Sequence, residues 1–262
     1  MNRTYAVCVM AICLAVSNAA LALPVYDTYV YAEFVDVQPG GPVYVNLGNG
    51  PKRLDTGVHV LQVSDELFSV GDEGEGLVTL AAESQFRIDA FCIEPMEPVP
   101  TAGMVEYGII APETGPQGSD IPPMGLTKAR DLSKLFDAHM GAWDTGDARA
   151  DNLAAAAFQL AVWEIVLEDG ANAYNLSQNQ GAFYATSGAS AVAQANEWLA
   201  ELDSLAFVDI GLRVLTNQDK QDFAVIIPGF GNPEIPEPLT ILAVGLSVAG
   251  LGRYARRRAV SA

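Results

Sequence analysis

The strongest helical pattern in the chain runs over residues 151–167 and stops before Gly170, with apolar side chains recurring at the spacing of a 3.6-residue turn. Weaker helical patterns stand at 127–142 and 190–205. Ahead of all three, residues 25–91 alternate apolar runs such as Val58-His59-Val60-Leu61-Gln62-Val63 with the turns Pro39-Gly40-Gly41-Pro42 and Gly48-Asn49-Gly50-Pro51. This alternation reads as β-strands. Prolines and glycines are too dense over 95–123 for regular structure, apart from a strand candidate at 104–110, so that stretch is read as a long surface connection. Strand-like patterns return at 206–215 and 223–227, joined by the polar turn Asn217-Gln218-Asp219-Lys220. The order predicts an α+β fold: N-terminal β-strands, a central helical segment carrying Gln159, and returning C-terminal strands, with the helices grouped on one side.

The ends of the chain have a different character. Arg3 precedes an apolar stretch at 5–16, and Ala20-Leu21-Ala22 has the small-x-small pattern read by signal peptidase, so residues 1–22 are expected to be a secretory signal peptide. Residues 239–252 carry no charge; as a helix they would reach roughly 21 Å, marginal for a hydrocarbon core of about 30 Å. Tyr254 and the arginines 253, 256, 257 and 258 would hold that end at the cytoplasmic interface. Pro236-Glu237-Pro238, the short apolar span and the arginine cluster together resemble a PEP-CTERM sorting signal of exopolysaccharide-producing Gram-negative bacteria. The resemblance implies an exosortase-type processing enzyme as partner and transient contact with the inner membrane through 239–252. The destination is then the cell surface or the extracellular biofilm matrix. The expected organisation is a signal peptide at 1–22, an extracellular domain at 23–227, a linker with the motif at 228–238, and a transmembrane sorting helix with its arginine-rich tail at 239–258.

Charge narrows the partners. The chain has 14 basic and 32 acidic residues, and loss of Arg3 and the four tail arginines leaves 9 basic residues and a net charge near -23. Such a polyanion excludes nucleic acid and anionic lipid, whose phosphates require clustered Lys and Arg. It suits solubility among polysaccharide, or capture of calcium or basic groups. The acidic loops Asp72-Glu73-Gly74-Glu75 and Asp144-Thr145-Gly146-Asp147 lack EF-hand spacing and read as solvated turns. Without a phosphate-cradling loop, zinc spacing or nucleophile elbow, no cofactor or metal is expected.

Two oddities remain. Cys8 and Cys13 leave with the signal peptide, so Cys92 is the lone thiol of the mature chain, flanked by Phe91 and Ile93. It is either a small buried hydrophobe or a group with a chemical reason to stay reduced outside the cell. On a helical wheel of about 100° per residue, Glu164 and Glu168 share one polar stripe, while Gln159 lies roughly 140° from Glu164, among Ala155, Trp163 and Val166. An amide buried there needs a hydrogen-bond partner, for which a neighbouring backbone group would suffice.

Phe91-Cys92-Ile93 together with Gln159-Leu160-Ala161-Val162-Trp163-Glu164 resembles the paired signatures of bacterial thioester domains. The resemblance implies that Cys92 attacks the Gln159 carboxamide, that ammonia leaves, and that Trp163 shields the resulting bond from water. A target amine or hydroxyl would then take over the acyl group. His59 and His139 are candidate proton-transfer bases for that attack. Two function classes stand, neither an enzyme: an exported covalent adhesin, or a non-covalent structural or binding protein of the extracellular polysaccharide matrix in which Cys92 is inert core. A hydrolase using paired carboxylates comes third.

Overall fold

A computed structural model describes residues 28–64, 68–69, 86–100, 103–117, 121–169, 173–178 and 181–227. Its strands are β1 (Thr28–Asn46), β2 (Pro51–Val63), β3 (Phe68–Ser69), β4 (Phe86–Cys92), β5 (Val105–Ile110), β6 (Tyr184–Ala185), β7 (Leu212–Asn217) and β8 (Lys220–Ile226). The helices are α1 (Gly125–His139), α2 (Ala148–Leu167) and α3 (Ala189–Glu201). All pairings are antiparallel, in the order β2-β4-β8-β7-β5-β1, and β1 pairs in turn with β2, so six strands form a closed ring. Closure leaves few free edges in the ring.

This corrects the expected fold. The described chain is a closed, antiparallel sheet with three helices, α+β only loosely, and its strands are not separate N-terminal and C-terminal blocks: β8 lies between β4 and β7, and β5 joins β7 to β1. Periodicity reports how a segment is buried but not which distant segment it pairs with, so the interleaving leaves no local trace. The strand candidate at 104–110 is β5, and the stretch around it, read as a surface connection, thus carries an integral stave of the ring. The flanking transmembrane helix expected at 239–258 falls outside the described residues. Among the described residues the one helix long and apolar enough to cross a membrane is Ala148–Leu167, in mid-chain, and it is the core helix. Residues 1–22, the acidic loop at 72–75, Gly170, Pro236-Glu237-Pro238 and 239–258 lie outside the described residues.

The long β1–β2 ribbon places α2. Its register shifts between Phe34 and Asp36 and again between Val37 and Gly40, and bulges of this kind bend a ribbon. At the second bend Gly40 faces Gly57, whose φ is +142°; a Cβ on Gly57 would meet Pro39 O at 2.3 Å, so both positions need glycine. β2 accompanies β4 only as far as the pair His59↔Ala90 and then turns away with β1. The diverging ribbon is tied to α2 by the Gly40 N–H, which donates to Asn152 Oδ1 at 2.9 Å.

The helix itself is buried from Ala154 through Val166, as expected of a helix that is apolar nearly all round. Asp147 caps its start, accepting from the N–H groups of Arg149 and Ala150. At its end Lys128 Nζ donates to the carbonyls of Val166 and Glu168. Phe158 joins Phe91, Phe136 and Trp143 in an aromatic cluster between helix and sheet, with Phe91 at 4.5 Å between ring centroids.

Candidate functional site at Cys92 and Gln159

Cys92 is the last residue of β4 and pairs with Phe223 of β8. Successive backbone groups of a strand point to opposite edges, and the Ile93 N–H points toward β8, where it donates to Asp222 O at 3.0 Å. The N–H and C=O of Cys92 therefore point to the other edge, which β2 has left. Buried backbone groups need partners, and Gln159 fills the gap: Cys92 N–H donates to Gln159 Oε1 at 3.1 Å, and Gln159 Nε2 donates to Cys92 O at 2.8 Å. Both residues are fully buried.

Trp163, one turn along the helix, donates its indole N–H to Cys92 Sγ at 3.4 Å and packs against Phe183. The main-chain N–H of Glu94 also reaches the sulfur. Burial nevertheless holds the thiol far above its ordinary pKa, and the nearby charges of Glu94 and Asp222 push the same way. The ground state is a protonated thiol against an amide whose oxygen already accepts from the nucleophile's own peptide N–H. In an attack by Sγ on Cδ, that N–H would stabilise the developing oxyanion.

The structure thus brings together Cys92, Gln159 and Trp163. It does not bring the histidines to them. His59 is buried between the rings of Phe34 and Phe223, and burial lowers its pKa to about 4. His139 stacks on Trp198 at the end of α1, 3.6 Å from Glu201. Among the described residues neither hydrogen-bonds Cys92 or Gln159.

Several chemically important residues were not legible as such. Glu164 and Glu168, expected on a polar stripe, are fully buried. Glu164 Oε1 accepts from Asn175 N–H at 2.6 Å, and the two Glu168 oxygens accept from Asp169 and Ala182 N–H, so these acids tie Asn175 and Ala182 to α2. Burial lifts the Glu164 pKa to about 7. Glu94 and Asp222, also buried, stand beside Cys92; the available signal was an acid two residues after the cysteine and another opening the apolar run at 223–227. The Asp144–Asp147 turn is a helix start, with Asp151 Oδ1 accepting from Thr145 N–H at 3.0 Å. No group of three or more His, Cys, Asp or Glu side chains among the described residues forms a metal site.

Comparison with known proteins finds no family model, curated protein or solved structure that matches the chain. The reading of this site rests on its own geometry.

Proposed function

We propose that the protein is an exported surface or matrix protein that stores an internal thioester between Cys92 Sγ and Gln159 Cδ and spends it once, acylating an amine or hydroxyl on a surface or on extracellular polysaccharide. The supporting observation is the double hydrogen bond between the Gln159 carboxamide and the Cys92 peptide, with the Trp163 N–H on the sulfur. It holds nucleophile and acyl group together without a cofactor. In bond formation Sγ bonds to Cδ, the Cδ–Nε2 bond breaks, and ammonia leaves with the thiol proton. In transfer the target nitrogen or oxygen bonds to Cδ and the Cys92 thiol is released. Export would follow the Sec route, with exosortase-type processing near Pro236-Glu237-Pro238.

A second reading has its own support. Gln159 is fully satisfied by the Cys92 peptide and the thiol is fully buried and held protonated, as in an inert core of a non-covalent matrix protein. Intact mass decides between them. The adhesin is lighter than its sequence by one ammonia, gains methylamine at Gln159 and then shows a free Cys92 thiol; Cys92→Ala and Gln159→Ala both carry full mass. A folded wild type of full mass that ignores methylamine establishes the matrix protein. Peptide maps of the same secreted sample should contain neither Arg3 nor Arg256.

A further inference from the structure

Thioester formation needs a group that carries the thiol proton to the departing nitrogen. The Cys92 thiol must lose a proton and the departing Nε2 must gain one, yet Gln159 offers no base and both histidines lie elsewhere.

One buried acidic pair adjoins the sulfur. Glu94, 1% exposed, sends its main-chain N–H to Cys92 Sγ, and its Oε2 accepts from the Asp222 N–H at 3.2 Å. Asp222, fully buried, lies one step beyond the Cys92↔Phe223 pair in the β4–β8 ladder, tied there by the Ile93 N–H. Its carboxylate accepts from Gln117 N–H at 2.8 Å and Asn217 N–H at 3.0 Å, which fixes its position. The groups acting on Asp222 include no cation. Tyr107 on β5 feels the Asp222 charge, and its buried hydroxyl has no hydrogen-bond partner among the described residues. The titratable groups facing Asp222 are therefore Cys92 and Glu94 from the β4 side and Tyr107 from β5, while His59 on β2 stands behind the Phe223 ring. Burial and the Glu94 charge together favour a proton on Asp222.

We infer that the Glu94–Asp222 pair is the proton relay of the acyl-transfer site: it takes the Cys92 thiol proton as Sγ attacks Cδ and returns it to Nε2 as ammonia leaves. The cycle balances, since the pair ends in the state in which it began. Burial and the Glu94 charge raise the Asp222 pKa to about 8, within the range where a group both accepts and releases protons near neutrality. The inference rests on the thioester reading.

The test follows the mass deficit as full-length chain, solubilised from inclusion bodies and never previously folded, is refolded at about pH 6 to 9. Wild type should lose ammonia with a rate that follows a titration near 8. Folded Asp222→Asn and Glu94→Gln should form the bond at least about tenfold more slowly, without that titration, and Glu94→Asp should recover part of the rate. A readout independent of the bond is the infrared band of a protonated carboxyl at neutral pH, recorded in Glu164→Gln to remove the other raised acid, present there and lost when Asp222→Asn is added. Folded variants that match the wild-type rate and pH profile, or a Glu164→Gln protein without the carboxyl band, overturn the relay and leave the thioester intact. A wild type of full mass at every pH removes the thioester and the relay together. If Asp222→Asn fails to fold, Glu94→Gln and the infrared band of Glu164→Gln carry the decision.

Discussion

The Gln159 carboxamide meets the Cys92 peptide as a neighbouring strand would, accepting from its N–H at 3.1 Å and donating to its carbonyl at 2.8 Å. One side chain thereby ends the β4 ladder, anchors α2 to the sheet and holds its carboxamide against the backbone of the cysteine. The site exists because β2 peels away at Gly57 and leaves that edge to the helix.

Substitutions at Gln159 should separate architecture from chemistry. Gln159→Ala leaves a cavity and two unpartnered backbone groups, and should cost about 3 to 5 kcal/mol in urea unfolding. Gln159→Glu fills the space but turns an acceptor toward Cys92 O when ionised, so it should be far less stable at pH 8 than at pH 5. Equal stability of the Glu variant at both values would mean that the Nε2 bond contributes nothing. Cys92→Ala, which keeps both backbone bonds, should be the mildest of the three.

Stability should depend on pH with a predictable sign. Asp222 and Glu164 have folded pKa values raised to about 8 and about 7, so the stability they contribute is full below the ordinary carboxyl range and is lost as pH rises through those values. His59 acts oppositely: its folded value is lowered to about 4, and its contribution is lost as pH falls from the ordinary imidazole range through that value. Two carboxyls outweigh one imidazole, so on these groups the urea midpoint should be highest near pH 4 and fall as pH rises to about 8. Asp222→Asn should make that fall shallower, with Glu164 keeping the remainder, and a midpoint that climbs from pH 6 to pH 9 would contradict the assignment.

Legibility in the sequence followed the range of the interactions. The helix spacing at 151–167 and the oddness of Gln159 within it were local facts, and so was the aromatic-Cys-apolar stretch at 91–93. What joined them was not local. The ring order depends on β8 inserting beside β4, more than a hundred residues away in sequence, and no periodicity encodes that choice. The buried acids misled for a related reason: a carboxylate's partners decide whether it is solvated. Glu164 and Glu168 find theirs in the backbone N–H groups of Asn175 and Ala182, which belong to no motif.

Glu164→Gln tests that clamp. The amide oxygen still accepts from Asn175, so the variant resembles the neutral acid and should match wild type within about 0.5 kcal/mol near pH 5. Above about 7, where wild type must bury a charge beside Glu168, the variant should be the more stable protein. Glu164→Ala lacks the acceptor and should lose about 1 to 3 kcal/mol at either pH, so a penalty equal to that of Gln would deny Glu164 its hold on Asn175.

Trp163→Phe addresses how the bond is used. The indole N–H reaches Cys92 Sγ, and when a target amine displaces the sulfur, that N–H stabilises the departing thiolate in a site where burial opposes its charge. A hydrogen bond to a charged group contributes about 1.5 to 3 kcal/mol, so its loss should slow methylamine transfer by about tenfold or more. The smaller ring also leaves space beside Phe183, against which the indole packs. Water should enter there, and the share of bonds lost to hydrolysis should rise relative to aminolysis. Intact mass separates the outcomes, because hydrolysis leaves a carboxylate at Gln159 and aminolysis leaves a methylamide. A folded Trp163→Phe protein with unchanged rate and unchanged product ratio would reduce Trp163 to a packing residue.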